Sequence, residues 1–267
     1  MALAKDKFWL FGVRPHQDDC WLLRSQNTRP PRHRSRITPA EGAYMLDVPN
    51  VAFIICDGEP APFSSESYGY AESFTRLDRV MWGASGSSGF RSGNEEKFIV
   101  KLADEYSNIC GAYLDDFIGT YTDEEILSTL HTVRSELDKA CRPMKLNATW
   151  YFHKHAPAGV LDYLDSVTMW TWKWQDLNRL EENFQRLEEQ CTRQEKIIGI
   201  YMYDFPSGEA VPVQAMEHQC EFGLQMIREG RANGLMFEAN SVMGIGLESE
   251  KWLTKWIERV KLMEVPD

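Results

Sequence analysis

No apolar run in these 267 residues approaches the roughly 18 that a helix needs to cross a bilayer, so no membrane span is expected. The apolar stretch in the N-terminal MALAKDKFWLFGV is too short for a secretory leader, and a cytoplasmic protein is the expectation. Cationic residues are in deficit: 29 Lys and Arg stand against 40 Asp and Glu, a formal charge of -11. Phosphate backbones are held by clustered Lys and Arg, so a nucleic-acid partner is not expected, and neither is a membrane partner. Cys20, Cys56, Cys110, Cys141, Cys191 and Cys220 form no CxxC pair, and several fall in apolar patterns where a free thiol acts as a small hydrophobe. They point to a reducing compartment, with neither disulfides nor zinc. No Gly-x-Gly-x-x-Gly follows the first apolar run and no Walker-type loop occurs, which removes the main support for an open nucleotide-binding sheet. No cofactor is called for.

What the chain does have is alternation. Short apolar runs recur at Phe8 to Val13, Val51 to Cys56, Arg79 to Trp82, Ile109 to Leu114, Lys145 to Phe152, Val167 to Trp172, Ile197 to Tyr203 and Gly234 to Phe237. Their near-continuous apolar character fits parallel strands covered on both faces. Helical punctuation lies between them: capping boxes at Thr38 with Glu41 and at Thr122 with Glu125, and a stripe of Ile126, Leu130, Val133 and Leu137. Further stripes run through Leu177, Leu180, Phe184, Leu187 and Cys191, through Met216, Cys220, Leu224 and Ile227, and through Trp252, Leu253, Trp256 and Ile257. Such stripes are core faces. Eight strands, each followed by a helical segment, predict a single-domain (β/α)8 TIM barrel spanning residues 1–267.

Barrels of this kind carry their chemistry on the loops that follow the strands. The residues there are strongly polar: Arg14, His16, Asp18 and Asp19 after strand one, Asp57 and Glu59 after two, Asp115 and Asp116 after four, Asp204 after seven, Glu238 and Asn240 after eight. A single Asp in such a place is as often the N-cap of the next helix. Carboxylates after strands two, four, seven and eight in one ring carry more weight, because two facing carboxylates divide into a proton donor and a nucleophile or base. Trp82, Trp150, Trp170 and Trp172 add flat apolar faces that suit sugar rings, and Trp170, Trp172 and Trp174 alternate so that an extended chain sets all three on one side, against the plainer reading that they pack under helices.

Acids and tryptophans at the mouth of a barrel resemble the glycoside-hydrolase-like (β/α)8 superfamily, over almost the whole chain. In its large retaining group the acid/base follows strand four and the nucleophile follows strand seven. The resemblance therefore implies Asp116, within Asp115-Asp116-Phe117, and Asp204, within YMYDF, as the principal carboxylates, supported by Asp115, Asp57, Glu59 and Glu238. Both principal positions are Asp here, and the Asn-Glu pair of that group is absent. A second glycosidase group pairs an Asp after strand four with one after strand six, which would be Asp176. The strings GAYLDDF, MWTWKWQDL and YMYDF are also similar to a set of uncharacterised barrel proteins.

Two rivals stand beside the glycosidase reading. His153 and His155 lie two apart, so a continuing strand projects both to one side, as in metal-binding pairs; a metal-dependent hydrolase or sugar isomerase uses them, whereas the plainer roles are hydrogen bonding to substrate or a solvated loop. A non-catalytic sugar-binding barrel keeps the aromatic walls alone. The basic segment at about 14–37, with Arg14, Arg24, Arg29, Arg32, Arg34 and Arg36, favours a small-molecule or oligosaccharide substrate of anionic kind, or else is a solvated loop. The glycines of GASGSSGFRSGN offer backbone amides to an anion or simple flexibility. No metal ligand set is assigned, and the pattern sets no oligomeric state.

Overall fold

The computed structural model describes residues 1–24 and 34–267. Eight parallel strands close into a barrel whose order is the chain order, the last strand lying between the seventh and the first. They are β1 (Phe8–Gly12), β2 (Asn50–Phe53), β3 (Arg79–Ser85), β4 (Ile109–Leu114), β5 (Lys145–Trp150), β6 (Ser166–Met169), β7 (Glu195–Tyr201) and β8 (Gly234–Glu238). Among the described residues the intervening helices are α1 (Asp19–Arg24), α2 (Pro39–Leu46), α3 (Ser65–Ser73), α4 (Glu95–Glu105), α5 (Asp123–Leu137), α6 (Leu180–Gln190), α7 (Val213–Arg228) and α8 (Glu248–Val260). This is the (β/α)8 TIM barrel that the alternation predicts. One connection departs from the pattern: β5 is followed only by a short 3-10 turn at Val160–Tyr163. The basic segment departs as well, since α1 occupies part of it, while Arg29 and Arg32 lie outside the described residues.

Local chemistry explains the boundaries. α2 and α5 open on the two predicted capping boxes, with the Thr38 and Thr122 amides donating to Glu41 and Glu125 at 2.8 and 3.0 Å. β2 stops at Phe53, short of the expected Cys56, because Asp57 and Gly58 adopt left-handed φ values of 53° and 76° in a tight turn. β3 runs on to Ser85 through Gly83 and Ala84, which lack the apolar bulk that marks a strand. Gly83 is required there, since a Cβ would stand 2.9 Å from the Ile55 amide nitrogen.

The chain forms two compact parts. One comprises the described residues of Met1–Asn50 with Met169–Gln190 and Lys196–Asp267; the other comprises Val51–Thr168 and Cys191–Glu195. In the second part, the helix side is packed by Trp82, 2% exposed, whose ring meets those of Phe53, Phe74 and Phe98 at 4.8, 6.3 and 5.7 Å. On the opposite face of β5, Asn147 donates to the Ser166 hydroxyl at 2.8 Å and accepts from that of Thr168 at 3.1 Å, so these buried polar groups satisfy one another. In the first part, Phe8, Phe237 and Trp256 form an aromatic cluster with ring separations of 5.4 to 6.4 Å. Trp170 lies flat on Gly199, where a Cβ would approach its ring to 2.1 Å.

Candidate functional site

The most distinctive chemistry sits just beyond β4. Tyr113, in β4, and Asp115, just past its end, both meet Thr149 of β5. The Thr149 hydroxyl lies 2.8 Å from Asp115 Oδ1 and 3.2 Å from the Tyr113 hydroxyl. The backbone of Asp115 is held by Ser85, whose hydroxyl donates to the Asp115 carbonyl at 2.9 Å. Asp115 is 8% exposed. Burial pushes its carboxyl up from the ordinary 3.8 to about 8, and repulsion from Asp116 adds to the rise; the Thr149 hydrogen bond and the Lys154 charge oppose it without prevailing. Burial thus favours the protonated form of Asp115.

Asp116 is held differently. Its φ of 51° is left-handed, a conformation that Asp adopts more readily than most residues. The turn carries its carboxylate towards the loop after β3, where Oδ2 accepts from the Ser88 amide at 3.2 Å, while Oδ1 pairs with Lys154 Nζ at 3.2 Å. The two neighbours thus separate into a buried acid and an ion-paired carboxylate. The same contacts decide the role of the Gly-rich loop: Ser88 serves Asp116, and the Ser92 and Gly93 amides donate to Glu95 at 2.5 and 2.9 Å. Those amides hold the protein's own carboxylates, which replaces the expected anion cradle.

Asp204, in the first part of the chain, is 1% exposed, and both of its oxygens serve backbone amides. Oδ2 accepts from Trp174 at 2.8 Å and Oδ1 from Ser207 at 2.7 Å. It fastens the loop after β6 to the hairpin of Tyr203–Asp204 and Glu209–Ala210. Both oxygens of the carboxylate expected as nucleophile are thus engaged by backbone amides. Around it the aromatic residues gather: Trp170 meets Phe11 edge-on at 5.4 Å and Tyr201 at 4.8 Å, and Trp172 stacks on Phe205 at 6.0 Å. β6 ends at Met169, so these tryptophans arrive on a loop and a 3-10 turn and not on one side of an extended strand. Asp18 receives a hydrogen bond from Ser241, and its carboxyl is raised chiefly by burial.

The remaining expected site residues scatter. Asp57 and Glu59 are exposed turn residues. Trp82 packs the helix layer, and Trp150, next to Thr149 in the alternation, projects away from the acid. His16 turns at a φ of 69° and meets Asp19 at 3.2 Å, Arg14 starts the turn that leads to α1, and Glu238 lies in register with Phe11 and Tyr201. β5 ends at Trp150, so the alternation that would align His153 with His155 is lost; His153 lies against the Tyr151 ring at 5.1 Å and His155 pairs with Asp123 at 3.2 Å. Among the described residues no group of three or more His, Cys, Asp or Glu is placed to hold a metal ion. Thr149 and Lys154 were not singled out from the sequence, although Thr149 shares its side of β5 with the buried Asn147.

No family model and no curated protein matches the chain. Solved structures do resemble it. The spore cortex-lytic enzyme SleL of Bacillus cereus aligns with a TM-score of 0.55 and 14% identity, over 96% of this chain and 75% of that one. Active domain 2 of a thermostable chitinase from Pyrococcus furiosus aligns with a TM-score of 0.57 and 12% identity, over 97% of each chain. The likeness is one of fold, the closed (β/α)8 barrel. The Pyrococcus furiosus tryptophan synthase α-subunit also aligns, with a TM-score of 0.51 and 13% identity over 97% of this chain and 99% of that one, so the likeness carries the fold and leaves the reaction to the site.

Proposed function

We propose that this chain is a single-domain enzyme that hydrolyses glycosidic bonds, with Asp115 as the general acid. The observation that carries this reading is the buried Asp115 carboxyl at the end of β4, hydrogen-bonded to Thr149 beside an Asp116 that is ion-paired with Lys154, surroundings that push its pKa up to about 8. Cleaving a glycosidic bond requires a proton on the leaving oxygen as the bond opens, and a carboxylic acid with a raised pKa supplies it at neutral pH. Asp116 is the anionic member of the pair and Asp204 the brace of the aromatic loops. The chitinase domain that shares the fold is seen in complex with chito-oligosaccharides, and this chain is assigned a substrate of that class. Lys154 is engaged by Asp116 and Arg34 by Asp19, and a neutral sugar is the substrate proposed. Free thiols at all six cysteines suit a reducing, cytoplasmic setting. The test is product analysis after incubating the purified protein with aryl glycosides and chito-oligosaccharides, alongside Asp115→Asn and Asp116→Asn. Cleavage lost in Asp115→Asn supports the assignment; binding without turnover, indifferent to both changes, defeats it in favour of a sugar-binding barrel.

A further inference from the structure

Two aromatic rings beside the acid pair are exposed yet held. Phe90, on the loop after β3, is 44% exposed, and Tyr121, after β4, is 40% exposed. Each lies against a glycine in a left-handed conformation. A Cβ on Gly58 (φ 76°) would stand 2.9 Å from Phe90 Cε1, and one on Gly89 (φ 72°) would stand 3.2 Å from Tyr121 Cε2. The Tyr121 hydroxyl donates to the Gly89 carbonyl at 3.0 Å, and its ring packs on Phe117 at 5.3 Å. Phe90 is tied through its carbonyl to the Gly86 amide at 3.0 Å. This loop also carries Ser88, whose amide holds Asp116, and the Gly89 Cβ position lies 3.1 Å from the Asp116 carbonyl oxygen. One five-residue loop thus joins the acid pair to both rings.

A rigid aromatic ring left partly open to water offers apolar area that a flat partner covers at little cost in conformational entropy. We propose that Phe90 and Tyr121 form a sugar-stacking subsite next to the acid pair, so that the preferred substrate is an oligosaccharide extending beyond the two sugars joined by the cleaved bond. This rests on the glycosidase reading above and deepens it by naming chain length as the property the loops recognise. The neighbouring residues fit a neutral pyranose chain: the Ser88 amide is engaged by Asp116 and the Ser92 and Gly93 amides by Glu95, which leaves the exposed rings to make the contact.

The test uses Asp115→Asn as a background that binds without turning over, and calorimetry with chito-oligosaccharides of two and six sugars as probes. The quantity read is the ratio of the two affinities. Phe90→Ala and Tyr121→Ala are each expected to lower that ratio about tenfold, the size of one stacking contact. Phe90→Leu keeps apolar bulk on Gly58 without the flat ring and is expected to show the same loss, while Tyr121→Phe keeps the ratio. An unchanged ratio in all four variants overturns the subsite while leaving the glycosidase reading standing. If neither probe binds and the unmodified protein cleaves neither, both proposals fall together.

Discussion

At the scale of single residues, Asp115 and Asp116 show how one-residue spacing separates two chemically identical groups. Asp115 is buried against Thr149; Asp116, turned by its left-handed φ, reaches Lys154. The raised carboxyl has a definite sign in stability. Its folded pKa, about 8, exceeds its ordinary 3.8, so the folded chain holds a proton that the unfolded chain releases. The associated stability is fully present below the ordinary value and is lost as pH rises towards about 8. Asp115→Asn, which removes the ionisation, is therefore expected to raise the melting temperature relative to the unmodified protein at pH about 8 and above, with the gap closing in acid. Thr149→Val removes a hydrogen bond that favours the anion, and carboxyl-carbon NMR titration is expected to place Asp115 still higher in that variant. A downward shift would mean that Thr149 stabilises the protonated form. The carboxylate pair was legible in the sequence, but which member held the proton was not, because that depends on what faces each side chain across the neighbouring strand.

At the scale of elements, the strands were legible and their ends were not. Ile109–Leu114 matches its apolar run residue for residue, whereas β3 outran its run because Gly83, Ala84 and Ser85 carry strand geometry without apolar bulk. β5 and β6 stopped early, and with them went the arguments that aligned His153 with His155 and Trp170 with Trp172 and Trp174. A period-two argument holds only while the pleat continues. Trp82 exposes a second weakness: a tryptophan near a strand end reads alike whether it faces the barrel mouth or the helices. Its ring contacts place it in the helix layer, so Trp82→Ala is expected to cost about 3–5 kcal/mol in urea unfolding, the range for emptying a large buried aromatic site. A loss under about 1 kcal/mol would show that the site collapses freely. Asp204→Asn keeps one acceptor oxygen but gives up the charge on two amide bonds, and is expected to destabilise the chain by about 1–3 kcal/mol.

For the molecule as a whole, the closed order of eight parallel strands follows from the regular alternation of apolar runs and amphipathic helices, and that much the sequence makes plain. A fold shared with a chitinase, a cortex-lytic enzyme and a tryptophan synthase subunit leaves the reaction to be argued from side chains. Those arguments converge on a buried acid after β4, an ion-paired neighbour, and exposed aromatic rings on the loops after β3 and β4. The most direct measurement is the rate of chito-oligosaccharide cleavage from about pH 5 to about pH 10 by the unmodified protein and by Asp115→Asn. The account predicts a rate that falls as pH rises through about 8, where the acid loses its proton, and a loss of about 10²–10⁴-fold in the variant. Cleavage by Asp115→Asn at the unmodified rate, or no cleavage by either protein at any pH, contradicts it.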